Sequence, residues 1–172
     1  WKVEDAGEGY VKFVSQSETK SKLLDVLNGW SADGTNIQLY LDHGHDAQKF
    51  KLKPVSGGGY QLLAKCSNDE KCVMVSAGSA PNDVFAIRAN IELGTAGSDS
   101  EPRSIWYFEP ADEGNVSAAP QDGMLLRIRA RHSGQYVRAV NDTMRVGDGL
   151  LQTYSSFSQA EEFLLTKAEN TN

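Results

Sequence analysis

With 172 residues the chain fits one domain with a full core, and 40% hydrophobic against 23% charged residues excludes a disordered polymer. A formal net charge of −6 argues against a nucleic-acid backbone or heparin-like partner, since such partners select positive faces. No apolar run nears the roughly 20 residues that a membrane-spanning helix needs, so no membrane insertion is expected.

The chain opens on Trp1-Lys2-Val3, followed by short segments that alternate in polarity and end on Gly, Asn, Asp or Pro. Residues 9–14 (Gly-Tyr-Val-Lys-Phe-Val), 22–27, 36–40 and 50–52 read as four strands in succession. The series then recurs at 59–64, 71–75, 84–88 and 106–108, and again at 123–128, 135–140, 151–154 and 163–165. No stretch keeps a helical period over more than three turns. A repeat of this size exposes its apolar face and its edges when alone, whereas three around a pseudo-threefold axis close a barrel with a shared core. The expectation is therefore all-β: one β-trefoil domain over residues 1–172, with lobes about 9–55, 56–111 and 122–168.

Two irregularities accompany the repeat. From Arg88 to Trp106 is longer than from Tyr40 to Phe50, which places a polar surface loop at 92–103, and a similar extension joins lobes two and three at 111–122. Trp1-Lys2-Val3 before Gly9-Tyr10 copies Phe50-Lys51-Leu52 before Gly59-Tyr60. A thirteenth strand, the tail of an earlier repeat, is thus expected at the start, as in a domain cut from a longer secreted protein with a covalently linked neighbour. The two cysteines, Cys66 and Cys72, flank residues 67–71. They suggest a disulfide across a hairpin and an oxidising compartment, the alternative being two half-buried reduced thiols.

Lobe one carries the most informative pattern: Leu24-Asp25-Val26, Gly34-Thr35, Gln38-Leu39-Tyr40, His43, then Gln48-Lys49-Phe50. In this it resembles the repeats of ricin-type lectins and family-13 carbohydrate-binding modules, which share a Leu-Asp-Val strand, a Gly-Thr turn, a Gln-Leu-aromatic strand and a closing Gln-x-Trp. The match is close over residues 22–52, with Phe50 in place of the tryptophan. The resemblance implies a sugar site in which the Asp25 carboxylate accepts hydroxyl hydrogen bonds, the Tyr40 ring takes the apolar face of a pyranose, and His43 meets a further hydroxyl. Asp46 and Gln48 complete the expected set. Ala47 stands where the family has an asparagine, a loss for which Asp46 is the available substitute. The Gln48 amide and the Phe50 ring also suit structural roles, one satisfying buried backbone and the other filling the core.

The other lobes depart from the pattern. Met74 replaces the carboxylate and Arg88 the aromatic in lobe two, while in lobe three Arg138 replaces the carboxylate and Tyr154 is retained as a possible second platform. Ser104 and Glu161 stand in for the closing glutamine. Neighbouring histidines in a polar loop such as 42–46 are ordinarily solvated, so no metal or other cofactor is assigned. Asn115 and Asn141 fit the glycosylation sequon. No nucleophile–base set is visible, and an enzyme is not expected. The implied function is that of a non-catalytic, extracellular module with a carbohydrate ligand, appended to a secreted glycoside hydrolase. The alternative is a protein-binding trefoil of the fascin-like, cytokine-like or Kunitz-inhibitor-like kind; the Arg-rich stretch 127–140 resembles the fascin-like one.

Overall fold

Alternating side chains and glycine turns yield most of the strands that their pattern predicts among the described residues. The computed structural model describes residues 1–16, 21–78, 88–97, 101–110, 120–140 and 145–153. A leading strand β1 (Lys2–Gly7) precedes lobe one, which holds β2 (Tyr10–Val14), β3 (Leu23–Val26), β4 (Ile37–Tyr40) and β5 (Phe50–Pro54). Lobe two holds β6 (Tyr60–Ala64), β7 (Lys71–Val75), β8 (Ile91–Thr95) and β9 (Trp106–Pro110). Lobe three contributes β10 (Leu126–Ala130), β11 (Tyr136–Ala139) and β12 (Leu150–Thr153). Every ladder is antiparallel, and among the described residues the only helical segments are 3-10 turns.

The pseudo-threefold axis is written in the backbone hydrogen bonds. Leu39 N–H donates to Asp148 O at 2.8 Å, Leu93 N–H to Thr35 O at 2.8 Å, and Gln152 N–H to Ala89 O at 3.0 Å. Each lobe thus ties its third strand to the turn that enters the third strand of another lobe. A second cycle, Gly34 to Leu93, Arg88 to Gln152 and Gly147 to Leu39, repeats the relation at 2.8 Å each. The fold is a β-trefoil.

Among the described residues, six strands form its barrel: β1, β2, β5, β6, β9 and β10. The leading strand does more than the repeat pattern suggests. Val3 pairs with Phe13 on one side, while Lys2 bridges to Leu125 and Trp1 exchanges hydrogen bonds with Leu126 at 2.8 Å on the other. By register Trp1 takes the position that Phe50 and Trp106 hold in lobes one and two. This strand is therefore not a spare tail of an earlier repeat: it fills the sixth barrel position, the one expected of residues 163–165, which lie outside the described residues. Inside, Val3, Phe13, Phe50, Trp106 and Phe108 are at most 2% exposed, and the Phe13 and Phe108 rings stack with centroids 5.6 Å apart.

Lobe two corrects three expectations. Its third strand is Ile91–Thr95, not 84–88, and it runs into the segment that was expected to be a surface loop. The pairing decides this, since Met74 faces Glu92 as Asp25 faces Gln38. Residues 84–87 lie outside the described residues. Arg88 sits in the entering turn at φ 72°, where lobes one and three have Gly34 at 82° and Gly147 at 85°. A side chain in this left-handed region is strained by roughly 1–2 kcal/mol. Arg88→Gly is therefore expected to raise stability by about 1 kcal/mol, read as a higher urea midpoint at unchanged m value; a lower midpoint would contradict the assignment.

The expected disulfide is absent as well: Cys66 and Cys72 are free thiols. Cys66, in the 3-10 turn Lys65–Ser67, packs against the main core, whereas Cys72 on β7 belongs to a separate cluster with Leu63 and Met74. Burial pushes both thiols up to about 11, so each stays protonated at neutral pH. The argument for an oxidising compartment that rested on this bond goes with it.

Candidate functional site

The site begins with the β3–β4 hairpin. Thr35 closes its turn by donating from Oγ1 to Ala32 O at 2.7 Å, and Gly34 supplies the left-handed backbone. Pairing across the two strands sets Asp25 opposite Gln38, and alternation along β4 puts Gln38 and Tyr40 on one face. Gln38 Nε2 donates to Asp25 Oδ1 at 2.9 Å, and His43 Nε2 lies 2.8 Å from Asp25 Oδ2. The His45 N–H donates to His43 Nδ1 at 3.2 Å, which leaves the ring proton on Nε2, aimed at the carboxylate.

Asp25 is only 2% exposed, although a carboxylate that receives sugar hydroxyls would ordinarily face solvent. Its position on a strand inside the lobe and its two protein donors account for the difference. Gln48, fully buried, is the clamp that its structural reading implies. Its Oε1 accepts from His43 N–H at 3.2 Å and its Nε2 donates to Leu41 O at 2.9 Å, which fixes the loop that carries His43. Tyr40 is 40% exposed, with its ring 5.9 Å from that of His43 and tilted 58° to it. Asp46 lies at the edge, 3.0 Å from Lys49 Nζ and 3.7 Å from Lys65 Nζ. The Lys49 ammonium holds its carboxyl below the usual carboxylate range.

Asp25, Gln38, Tyr40, His43, His45 and Cys66 thus share the wall of one cavity of about 470 Å³, within the range of roughly 300–1,000 Å³ usual for small-ligand pockets. The structure therefore gathers Asp25, Tyr40, His43 and Asp46 at one place, with Gln48 behind the wall. Gln38 and Cys66 join them. Gln38 could have been found from strand alternation alone, two positions before Tyr40; Cys66 carried no such signal, because it comes from lobe two.

Neither other lobe repeats the set. In lobe two the register places Met74, Glu92 and Gly94 where lobe one has Asp25, Gln38 and Tyr40, so Gly94 and not Arg88 is the counterpart of the tyrosine. A Cβ on Gly94 would collide with the sulfur and methyl of Met74, which lie over that position. Ser104 replaces the clamp and accepts from Gln61 Nε2 at 3.0 Å. In lobe three Arg138, Leu151 and Thr153 hold the three positions. Thr153 thus replaces Tyr154 as the counterpart of Tyr40, and Tyr154 itself lies outside the described residues, as do Glu161, Asn115 and Asn141.

One protein family, described as ricin-type beta-trefoil lectin domain-like, matches residues 1–93. No curated protein sequence matches the chain. Among solved structures, the designed threefold-symmetric protein ThreeFoil is similar at a TM-score of 0.70 and 25% identity, over 90% of this chain and 95% of its own. The exo-beta-1,3-galactanase 1,3Gal43A from Clostridium thermocellum is similar at 0.63 and 19% identity, over 81% of this chain but 26% of the enzyme. The Rhizoctonia solani agglutinin follows at 0.60 and 20% identity, over 81% and 82%.

Proposed function

Because the chain belongs to the ricin-type β-trefoil lectin domain-like family, we propose that it is a non-catalytic carbohydrate-binding domain with one working sugar site, in lobe one. The observation that carries this is a buried carboxylate, Asp25, held by one protein donor on each oxygen beside an exposed tyrosine ring. A carboxylate offers about four lone-pair positions. Two therefore remain for sugar hydroxyls, while Gln38 and His43 keep the group in place. Tyr40 offers a flat face to the pyranose C–H groups, His43 borders the ring, and Asp46 stands at the edge as the substitute for the asparagine that the family has at the position of Ala47.

Cys66, His43 and Asp25 share the pocket, yet they do not make an activated nucleophile. Nδ1 of His43 already accepts from the His45 backbone, and burial drives the thiol to about 11, opposite to the shift that activates cysteine. That supports binding over catalysis. The finer reading is an extracellular targeting module on a secreted glycoside hydrolase, which keeps its partner enzyme near a polysaccharide. A single site binds weakly, so such a module works through the effective concentration that its linked neighbour gains.

Calorimetric titration with galactose, xylose and arabinose tests the reading. At least one sugar is expected to bind, and Tyr40→Ala is expected to weaken it roughly three- to tenfold, while stability stays within about 0.5 kcal/mol for so exposed a side chain. A binding sugar whose affinity is indifferent to Tyr40→Ala would remove the site from lobe one.

A further inference from the structure

Trp30 is, at 59%, the most exposed large hydrophobic side chain among the described residues, and it takes part in neither apolar cluster. Tryptophan is enriched where a protein meets a partner or ligand, so an exposed indole just beyond a cavity wall points to a surface that meets something else. Its neighbours in sequence, Val26 to Gly29, line the cavity of lobe one. The chain reaches Trp30 through two consecutive left-handed residues, Asn28 at φ 54° and Gly29 at φ 65°, after which Trp30 N–H donates to Leu27 O at 3.2 Å. Asparagine and glycine are the residues that enter this region at least cost, so the sequence itself sets the turn that presents Trp30.

The hairpin register supplies a length. Tyr40 pairs with Leu23 at one end of β3–β4, whereas Ile37 pairs with Val26 at the other, from which the segment to Trp30 departs. Three residues of strand separate Tyr40 from the Ile37 level, about 10 Å at 3.3–3.4 Å per residue. That is more than one pyranose ring spans.

We propose that Trp30 is a second stacking platform, so that lobe one recognises a chain of two or more sugars lying along the hairpin rather than a single sugar. This rests on the sugar-binding reading of lobe one and deepens it: one ring stacks on Tyr40 with its hydroxyls on Asp25, and a later ring of the same chain reaches the indole. The ligand is then an oligosaccharide or an internal stretch of polysaccharide.

The test compares galactose with β-1,3-galactotriose and xylose with β-1,4-xylotriose on the intact chain, by calorimetry and by tryptophan emission. The trisaccharide of the preferred sugar is expected to bind roughly three- to tenfold more tightly than its monosaccharide and to shift the emission of the exposed indole to the blue. Trp30→Ala is expected to abolish both the gain and the shift, with monosaccharide affinity kept within about twofold. Equal affinity for one and three sugars, or a gain that survives Trp30→Ala, overturns the second platform and leaves the Tyr40 site standing. Failure of all four sugars, and of arabinose beside them, to bind the unaltered chain overturns the sugar site itself, and this inference with it.

Discussion

A chain that lacks residues 1–7 is expected to lose its cooperative fold. These residues are β1 and Trp1, and they fasten the barrel on two sides: a ladder to β2, and main-chain bonds from Trp1 and Val3 to Gly123, Met124 and Leu126 at 2.8–2.9 Å. Their removal exposes the edges of β2 and β10 together and uncovers the core beneath Val3, which is fully buried. Burial of one such side chain contributes about 1.5–3 kcal/mol, and each hydrogen bond about 1 kcal/mol net. The sum over a whole strand reaches the 5–15 kcal/mol that holds a typical domain together. Near-ultraviolet circular dichroism and a urea titration of the truncated chain read the effect. A truncated chain with the same midpoint would mean that another segment, residues 163–165 being the natural candidate from their sequence, holds the sixth position.

The same strand illustrates what the sequence reveals and what it withholds. The likeness of Trp1-Lys2-Val3 to Phe50-Lys51-Leu52 identifies it as a fourth-type strand, and that much is local pattern. Which lobe it completes is a matter of partner choice, settled only when Leu126 and Val14 are brought beside it. Lobe two hid its third strand for a related reason. Asp25 and Gln38 are 13 positions apart, as are Arg138 and Leu151, whereas Met74 and Glu92 are 18 apart. Under constant spacing residues 84–88, four of them apolar, take the place that five extra residues push on to Ile91–Thr95. The shift misaligns Arg88 with Tyr40, when its true counterparts are Gly34 and Gly147, and a positive φ at an arginine leaves no mark in composition.

The site was more legible than the connections around it, because a motif fixes residue types at fixed offsets. Asp25, Tyr40 and His43 converge as the pattern implies, and Gln48 clamps their loop. What the motif omits is burial. Whether a carboxylate on a strand is solvated depends on what crosses it, here Gln38 from the paired strand and His43 from a loop 18 residues downstream. The disulfide failed on a similar point. Sequence proximity puts Cys66 and Cys72 on one hairpin, but their side chains pack into different clusters.

Burial also changes what substitution of Asp25 does. Were the carboxylate in solvent, Asp25→Ala would weaken sugar binding at no cost to stability. With the carboxylate 2% exposed, the same change leaves the Gln38 amide, itself only 6% exposed, without its acceptor. His43 has 28% of its side chain exposed and turns to water more easily. An unsatisfied buried donor costs about 1–3 kcal/mol, so Asp25→Ala is expected to lower the stability by that amount. Its effect on affinity is separate and larger. Hydrogen bonds to a charged group contribute about 1.5–3 kcal/mol each, which makes the loss at least tenfold for the sugar identified by titration. Asp25→Asn divides the two effects: it keeps the volume and an oxygen for Gln38, so the unfolding midpoint falls less, while the missing charge still costs the ligand. Calorimetry well below the midpoint of each variant, paired with urea unfolding, supplies both numbers. Full affinity in Asp25→Ala would take the carboxylate out of the site, and unchanged stability would refute its role as the acceptor that Gln38 and His43 share.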